Sequence, residues 1–218
     1  MHTPTLTRLY LVRHCEVENP RGLLYGHLPN FPLSSRGIRQ AEALGGKLAQ
    51  SGARRIYTSP LERAQQTAAI IHRQLPASEV VTTNNLVEAE FGRYLQGIPL
   101  RQIPWRRPLW WLHMVWPGLL PNDETVSAMA ARVDVPLQRH LTEFPGESCI
   151  CVSHGDPIQA FWIRHRGRRR WALHRLQCAK GAMLCLDYRG THLTAVRYIP
   201  PTEVTVGEIA PGLDARTA

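Results

Sequence analysis

The sequence predicts an α/β protein, a three-layer α/β/α sandwich around a mostly parallel sheet. Short apolar runs at Leu9–Val12 and Ser148–Ser153 have the length and character of strands buried on both faces. Segments with apolar residues at helical spacing alternate with these runs, as expected for parallel strands joined by crossover helices. The 218 residues, 44% of them hydrophobic, are enough for one sizeable core.

The formal net charge of +9 raises the question of a nucleic-acid partner. Much of the excess is local, since five arginines fall within residues 164–170. Proteins that bind single strands interleave aromatic side chains with such charges, whereas Trp162 and Trp171 only flank this run. A solvated basic loop is therefore the favoured interpretation, and a nucleic-acid partner is not expected.

The sequence contains no apolar run long enough to cross a bilayer, and its first residues lack the pattern of a signal peptide. A cytoplasmic location and no membrane partner are therefore expected. The five cysteines are an odd number, and most lie in or beside apolar stretches, which predicts free, reduced thiols. A zinc site from Cys149, Cys151 and His154 is disfavoured, because the two cysteines alternate along a buried strand and a fourth ligand is lacking.

After the first strand, a loop rich in turn-forming residues leads to a helix whose N-cap is Ser34 or Ser35. Gly52 stands where a C-capping glycine is expected, and Arg55–Thr58 has the character of a short strand. The apolar residues of the helix recur at helical spacing, at Ile38, Ala41, Leu44 and Leu48.

The segment Ser-Pro-Leu-Glu at 59–62 has the pattern of a capping box, in which Ser59 is the N-cap and the Glu62 side chain accepts the backbone amide of Ser59. The helix that it opens is predicted to run to about Gln74. Arg63 then falls in the first turn, where free N–H groups and the helix dipole attract anions. Its guanidinium can add a bidentate contact to a phosphate or carboxylate.

Two carboxylates follow a weak strand at Val80–Thr82. Glu88 and Glu90 alternate with small or apolar residues, so one can face a cleft while the other faces water. From about residue 98 to 121 the composition shifts to tryptophan, proline and arginine, which indicates a small helical insertion over the crevice of the sheet. Most of its tryptophans are expected to pack a small core. The side chains that can instead stack on an aromatic or apolar group are Tyr25, Arg106, Trp110, Trp111 and Trp116.

The second half of the chain supplies a long helix, a central strand and a closing hairpin. The helix is expected to begin at Asn122 or Asp123, and Pro136 is expected to kink or break it. The strand at Ser148–Ser153 then ends at His154. The remaining elements are a helix opening at Pro157, strands at 182–188 and 192–199, and a loose tail at 200–218.

Reactive side chains follow three of the predicted strands. Arg13 and His14 come directly after the first, Arg63 lies one turn past the second, and His154 follows a third. The carboxyl ends of parallel strands meet at one crevice of an open sheet, so these residues are expected to converge there. Two arginines, two histidines and a helix N-terminus form a concentrated positive site for a phosphoryl dianion, and Glu88 supplies a proton donor.

The motifs around these residues resemble those of the histidine phosphatase superfamily, also called the phosphoglycerate mutase-like family. Leu11-Val-Arg-His-Cys-Glu16 is similar to the leucine-x-arginine-histidine-glycine-glutamate signature of that family. The similarity continues in the family's order and covers most of the chain up to about residue 165. The further matching stretches are 32–41, 58–68, 86–88 with 91–92, and 152–155.

The resemblance implies a two-step mechanism. His14 would attack phosphorus and form a phosphohistidine, which divides one difficult displacement into two easier ones. Glu88 would protonate the leaving oxygen and then deprotonate the incoming water, which needs a pKa raised towards neutrality. This chemistry needs no metal and no cofactor. The implied catalytic residues are His14, Glu88 and His154, and the implied phosphate-binding residues are Arg13, Arg63 and Asn19.

The family domain would span residues 1–199, with the insertion at about 98–121 lying over the active site. The implied partner is a small-molecule phosphomonoester substrate, and free phosphate or another anion is expected to bind in the site. The sequence does not indicate an oligomeric state.

Three departures from the family pattern bear on the site. Cys15 stands where the family has glycine, and it places an oxidation-sensitive thiol beside the nucleophile. Asn19 lies one place earlier than the family's asparagine. The segment 91–97 is one residue longer than the family form, so Glu90 stays open as the acid beside the favoured Glu88.

The motifs leave three functions open. A metal-independent phosphomonoester hydrolase and a cofactor-dependent mutase of the phosphoglycerate mutase type share every catalytic residue. The chain is shorter than the glycolytic mutases, which favours the hydrolase. A protein that has kept the fold, lost catalysis and binds a polyanion is the third, and the complete set of catalytic residues disfavours it.

Overall fold

The computed structural model describes residues 6–90, 92–115, 123–167, 173 and 177–202. The strands in these ranges are β1 (Leu6–Arg13), β2 (Arg55–Thr58), β3 (Glu79–Thr82), β4 (Cys149–Ser153), β5 (Met183–Arg189) and β6 (His192–Ile199). The helices are α1 (Ser35–Leu48), α2 (Glu62–Gln74), α3 (Gly92–Leu95), α4 (Ile103–Arg106), α5 (Trp110–Val115), α6 (Val126–Glu143) and α7 (Gly155–His165). Within the described ranges, no helix has both the length and the apolar character needed to cross a membrane.

The six strands form one sheet in the order β3-β2-β4-β1-β5-β6. Strands β3, β2, β4 and β1 pair in parallel, whereas β5 pairs antiparallel with both β1 and β6. The first four strands are separated along the chain by helices, as parallel pairing requires, and β5 and β6 are joined by a tight turn. The predicted mostly parallel sheet is confirmed.

Helices cover both faces of the sheet. In β4, Cys149 and Cys151 belong to one buried cluster, and Ile150 and Val152 belong to the other. Residues from α6 and α7 pack into the first cluster, and residues from α1 and α2 pack into the second. All five residues of β4 are buried as a result, which explains its continuous apolar sequence. The predicted three-layer sandwich is confirmed.

The parallel register brings the carboxyl ends of the central strands together. Arg13 at the end of β1 pairs with Ser153 at the end of β4. The next backbone amide, that of His14, donates to the Ser153 carbonyl over 2.9 Å. The Ser59 amide, just past β2, donates to the Val152 carbonyl over 3.1 Å. The residues that follow these strands therefore start from one edge of the sheet.

The described part of the insertion is helical. Ile103 is buried in a third apolar cluster, and Trp110 is partly buried against it. Trp105, by contrast, is 88% exposed and Trp111 is 50% exposed, so the expected packing holds for Trp110 and is wrong for these two. Trp116 lies outside the described residues.

The predicted capping box at the start of α2 is wrong. The N-cap is Leu61, which has no side chain able to cap, and α2 begins at Glu62. The Ser59 hydroxyl accepts the Leu61 amide over 3.3 Å and also contacts a histidine in the site described below. Arg63 still lies in the first turn, and the helix ends at Gln74 as predicted.

Helix α6 departs from its prediction at both its start and its interior. Thr125, two residues past the expected Asp123, is the N-cap, and its hydroxyl accepts the Ala128 amide over 3.1 Å. The helix continues through Pro136, so the expected break is wrong. Pro136 is buried on the core face, where packing offsets the hydrogen bond that proline cannot make. Similarly, α1 is capped at Ala49 rather than near Gly52.

Candidate active site

Three side chains from three elements meet at the carboxyl edge of the sheet. His14 follows β1, Arg63 lies in the first turn of α2, and His154 is the N-cap of α7 directly after β4. The centroids of the two imidazole rings are 5.1 Å apart, and Arg63 Nε is 3.3 Å from His14 Nε2. All three residues are buried. The convergence predicted from the strand ends is therefore present.

His14 is held so that Nε2 is its unprotonated ring nitrogen. Its Nδ1 lies 2.7 Å from the Cys15 carbonyl oxygen, and because a carbonyl can only accept, Nδ1 carries the proton. Nε2 then carries a lone pair, which accepts the hydrogen bond from Arg63 Nε. Burial, followed by the charges of Arg63 and Arg13, lowers the pKa of His14 well below 6.5. The imidazole is therefore neutral at physiological pH, as a nucleophile must be.

Arg63 is a fully buried cation whose position is fixed on several sides. Its Nη2 donates to the Gly26 carbonyl over 2.8 Å, and its Cζ lies 4.7 Å from the centroid of the Tyr25 ring. From the sequence, the loop that carries these two residues was described as rich in turn-forming residues, and Tyr25 was expected to stack on a substrate group rather than on Arg63. In the structure it orients the guanidinium towards His14.

Arg13 enters the site from the end of β1. Its Nη1 donates to the Cys178 carbonyl, and its Nε is buried without a hydrogen-bond partner among the described residues. A Cβ at Gly155 would lie 3.0 Å from the Arg13 Cζ, so glycine at this position allows the guanidinium to pack against the start of α7. A buried N–H without a partner is costly in a protein interior, and it is available to an anion in the site.

His154 is oriented by Ser59. The His154 Nε2 lies 2.7 Å from the Ser59 hydroxyl oxygen, and Nδ1 is buried without a hydrogen-bond partner in the described chain. When Ser59 donates its O–H to Nε2, Nδ1 carries the proton and can donate to a phosphoryl oxygen. Burial, followed by the neighbouring His14, lowers the pKa of His154 well below 6.5. The sequence offered no signal for this use of Ser59 beyond its place after β2.

Of the two candidate carboxylates, Glu88 faces the site. Glu88 is buried, and its Oε2 lies 3.8 Å from His154 Nδ1, whereas Glu90 is exposed. The other carboxylate oxygen of Glu88 accepts the Ala89 amide over 2.9 Å. Burial, followed by the charge of Asp156, raises the pKa of Glu88 from 4.5 to about 7. A carboxyl group of this kind can both donate and accept a proton near neutral pH.

The family assignment follows from this geometry and from sequence comparison. The model of the histidine phosphatase superfamily (branch 1) matches residues 9–199. The chain belongs to the histidine phosphatase superfamily. The match spans all the site residues described above, from Arg13 to His154.

Relatives within the superfamily carry the names of phosphatases and of a mutase. The chain is 33% identical over 204 residues to an uncharacterized protein of Mycobacterium tuberculosis, covering 91% of this chain and 98% of the relative. It is 27% identical over 215 residues to a protein of Salmonella paratyphi C named probable phosphoglycerate mutase GpmB. The alignment covers 96% of this chain and 98% of the relative. The crystal structure of the alpha-ribazole phosphatase from Shigella flexneri is similar, with a TM-score of 0.74 and 27% sequence identity. The similarity covers 91% of this chain and 98% of that structure. These similarities support an enzyme.

The structure also places Asn19 and Cys15, the two residues at which this chain departs from the superfamily signature. Both polar atoms of the Asn19 amide group bond to the backbone of Leu23, over 2.9 and 3.0 Å. Its contact with phosphate stays a prediction and would require this turn to open. Cys15 is fully buried, and burial raises the pKa of its thiol to about 12. The expected sensitivity of this thiol to oxidation is therefore not supported, since the thiolate is the reactive form.

Lys180 is a further cation beside the site that the sequence did not indicate. It lies in the turn before β5, where the Gly181 amide bonds to the carbonyls of Arg13 and His14, both at 3.3 Å. Burial, followed by the charge of Arg13, lowers the pKa of Lys180. Its charge in turn contributes to lowering the pKa of His14, so Lys180 adds a third positive charge near this histidine.

The same residues are less suited to a metal ion. Ligand atoms of His14, Glu88 and His154 all lie within 4.8 Å of one another, a spacing that a divalent cation can use. However, Arg63 Nε lies 3.3 Å from His14 Nε2, so a cation bound at this nitrogen would lie against a guanidinium group. The adjacent guanidinium groups also repel a cation. The charge of the cluster favours an anion.

Proposed function

We propose that the protein is a metal-independent phosphomonoester hydrolase that forms a phosphohistidine on His14. The observation that carries the proposal is the buried, neutral imidazole of His14, whose Nε2 lone pair faces Arg63. A phosphoryl group placed at this point would be bound by guanidinium groups whose donors are partly unused. Its substrate would be a small-molecule phosphomonoester.

In the first step, His14 Nε2 attacks phosphorus. The N–P bond forms, the P–O ester bond breaks, and the leaving oxygen takes a proton from Glu88. Arg13, Arg63 and His154 stabilise the charge on the phosphoryl oxygens, which is strongest in the transition state. Because the pKa of Glu88 is raised to about 7, part of the enzyme holds this proton near neutral pH.

In the second step, a water molecule replaces the product alcohol. Glu88, now ionised, removes a proton from this water as its oxygen attacks phosphorus. The O–P bond forms and the N–P bond breaks. Inorganic phosphate leaves, and both His14 and Glu88 are restored to their starting forms.

A mutase is the second candidate, because a relative named probable phosphoglycerate mutase matches 96% of the chain. The first step would be identical. The phosphohistidine would then transfer its phosphoryl group to a hydroxyl group of a second substrate molecule or of the bound product, and not to water. The two candidates therefore differ in net phosphate release.

The decisive experiment measures phosphate release from 4-nitrophenyl phosphate in the presence of EDTA. Wild type is compared with His14→Ala and with His192→Ala, a control at an exposed position of β6. Turnover by wild type and the control, with loss in His14→Ala, supports the proposal. Equal turnover by all three contradicts the assignment of the nucleophile.

If wild type releases no phosphate, the next measurement is isomerisation of 3-phosphoglycerate without net phosphate release. A positive result identifies the mutase. Salt-dependent binding of single-stranded nucleic acid without any turnover would instead support the polyanion-binding alternative. The cytoplasmic location also stays a prediction, which fractionation of cells that produce the protein would test.

A further inference from the structure

The segment that carries Glu88 is held by side chains rather than by a sheet. We call residues 85–88 the acid loop. Each of its four successive backbone carbonyls accepts a hydrogen bond from a side chain of another element. The Leu86 carbonyl accepts from the buried Ser153 hydroxyl over 2.8 Å. The other three carbonyls all bond to one residue of α6, Arg132.

The guanidinium of Arg132 uses all five of its N–H donors. Nη1 donates to the carbonyls of Asn85 and Val87, over 3.0 and 2.6 Å. Nη2 donates to the Glu88 carbonyl over 3.3 Å and to Glu124 Oε2 over 2.9 Å. Nε donates to Glu124 Oε1 over 2.6 Å. The planar group thus joins the acid loop to a bidentate carboxylate.

Glu124 fixes the guanidinium from the opposite side. The side chains of Arg132 and Glu124 are only 17% and 18% exposed, so water screens this pair less than an ion pair on the surface. The Glu124 backbone amide also donates to the Glu90 carbonyl over 3.0 Å, just past the acid loop. The pair therefore connects the segment just before α6, and α6 itself, to the acid loop.

We propose that Arg132, oriented by Glu124, is a positioning residue that holds the Glu88 carboxyl group at the reacting centre. This inference rests on the proposed function, in which Glu88 acts as the acid. Arg132 itself touches neither His14 nor His154 and contacts Glu88 only at its backbone. Its contribution is to fix the three carbonyls that determine where the acid loop lies.

The physical reason is the precision that proton transfer requires. A general acid acts within hydrogen-bond reach of the leaving oxygen, and a displacement of about 1 Å can cost roughly a hundredfold in rate. The acid loop has no backbone ladder to resist such a displacement. Without the fork of Arg132, three of its four carbonyls lose a partner, although His27 still bonds to the Glu88 carbonyl over 2.9 Å.

The test compares Arg132→Lys with Arg139→Lys. Both arginines lie in α6 and pair with a glutamate, but Arg139 bonds, among the described residues, only to the exposed Glu143 four residues along the helix. Lysine keeps the charge and loses the planar fork. We expect kcat/KM for glycerol 2-phosphate, an alkyl ester that needs protonation of its leaving oxygen, to fall about tenfold or more in Arg132→Lys. We expect less than about a threefold loss with 4-nitrophenyl phosphate, whose leaving group needs little protonation, and no loss in the Arg139 control.

A double-mutant cycle with Glu88→Gln separates positioning from general damage to the fold. If Arg132 acts through Glu88, adding Arg132→Lys to Glu88→Gln causes no further loss. Unchanged kcat/KM in Arg132→Lys, equal losses on both esters, or additive losses in the double variant would each overturn the inference. If Arg132→Lys does not fold, Glu124→Gln is measured in the same way and decides by the same criteria. Full activity of the single variant Glu88→Gln would instead refute the assignment of the acid in the proposed function.

Discussion

Replacing Glu88 by glutamine is expected to lower kcat/KM for an alkyl phosphate and to stabilise the fold at pH 7 and above. The carboxyl group is buried, and its pKa is raised from 4.5 to about 7 chiefly by burial. A raised pKa means that the folded state holds the proton more tightly than the unfolded state does. Ionising Glu88 therefore costs stability in the wild type, and an amide of the same shape avoids this cost.

The sign and size of the effect follow from proton linkage. Below pH 4.5 both states of the wild type hold the proton, so the penalty is absent. Between pH 4.5 and about 7 the unfolded state releases it first, and stability falls as the pH rises. A change in pKa from 4.5 to about 7 corresponds to about 3 kcal/mol, because each tenfold change in proton affinity is worth about 1.4 kcal/mol. Above pH 7 the penalty is constant.

The measurement is the free energy of unfolding by urea at several values between pH 4.5 and pH 8, in buffers free of phosphate and sulfate. The difference between Glu88→Gln and wild type should grow by about 3 kcal/mol over this range, or about 6–12 °C in Tm.

Glu90→Gln is the matched control for this experiment. Glu90 lies two residues away and is exposed, so its difference from wild type should stay flat with pH. A flat difference for Glu88→Gln as well would refute the claim that burial raises the pKa of this carboxyl group.

Three further predictions concern the same site. In Gly155→Ala the new Cβ would lie 3.0 Å from Arg13 Cζ, so KM should rise about tenfold as one charged contact weakens. The control is Gly46→Ala, whose new Cβ has no atom within 4 Å and should leave KM unchanged. Iodoacetamide at pH 8 should alkylate Cys15 roughly a thousandfold more slowly in the folded protein than in urea, because burial raises the pKa of this thiol to about 12. The rates are measured by peptide mass spectrometry, and equal rates would contradict the prediction. For an alkyl phosphate, kcat/KM should fall above about pH 7 as Glu88 loses its proton; a profile level to pH 9 would rule Glu88 out as the acid.

The central residues of the site were predictable because strand ends are visible in a sequence. Buried parallel strands are continuous apolar runs, so the residue at which a run stops can be identified from the sequence alone. Arg13, His14 and His154 each follow such a run, and parallel pairing places their starting points on one edge of the sheet. Arg63 was found through the start of its helix, even though the cap assigned to that helix was wrong.

The residues that orient the site were not predictable in the same way. Ser59 was interpreted as a helix cap, because the sequence pattern does not show that its hydroxyl lies 2.7 Å from His154. Lys180 lies beside the site because β5, which follows it, pairs antiparallel with β1. Arg132 looks like any polar residue of an amphipathic helix, and three of its five hydrogen bonds depend on a loop some 45 positions earlier. Pro136 was expected to kink or break α6 because proline has a low helix propensity. The packing of its buried side chain, which lets the helix continue, cannot be recognised in the sequence.

The sequence by itself determined the α/β architecture, the family and the residues that meet at the strand ends. These features depend on the period of apolar residues and on local motifs, which act over a few residues along the chain. The tertiary structure decided which carboxylate faces the site, which nitrogen of His14 is unprotonated and which side chains hold the acid loop. Those properties depend on burial and on contacts between distant segments, since desolvation and hydrogen-bond geometry exist only once the chain has folded.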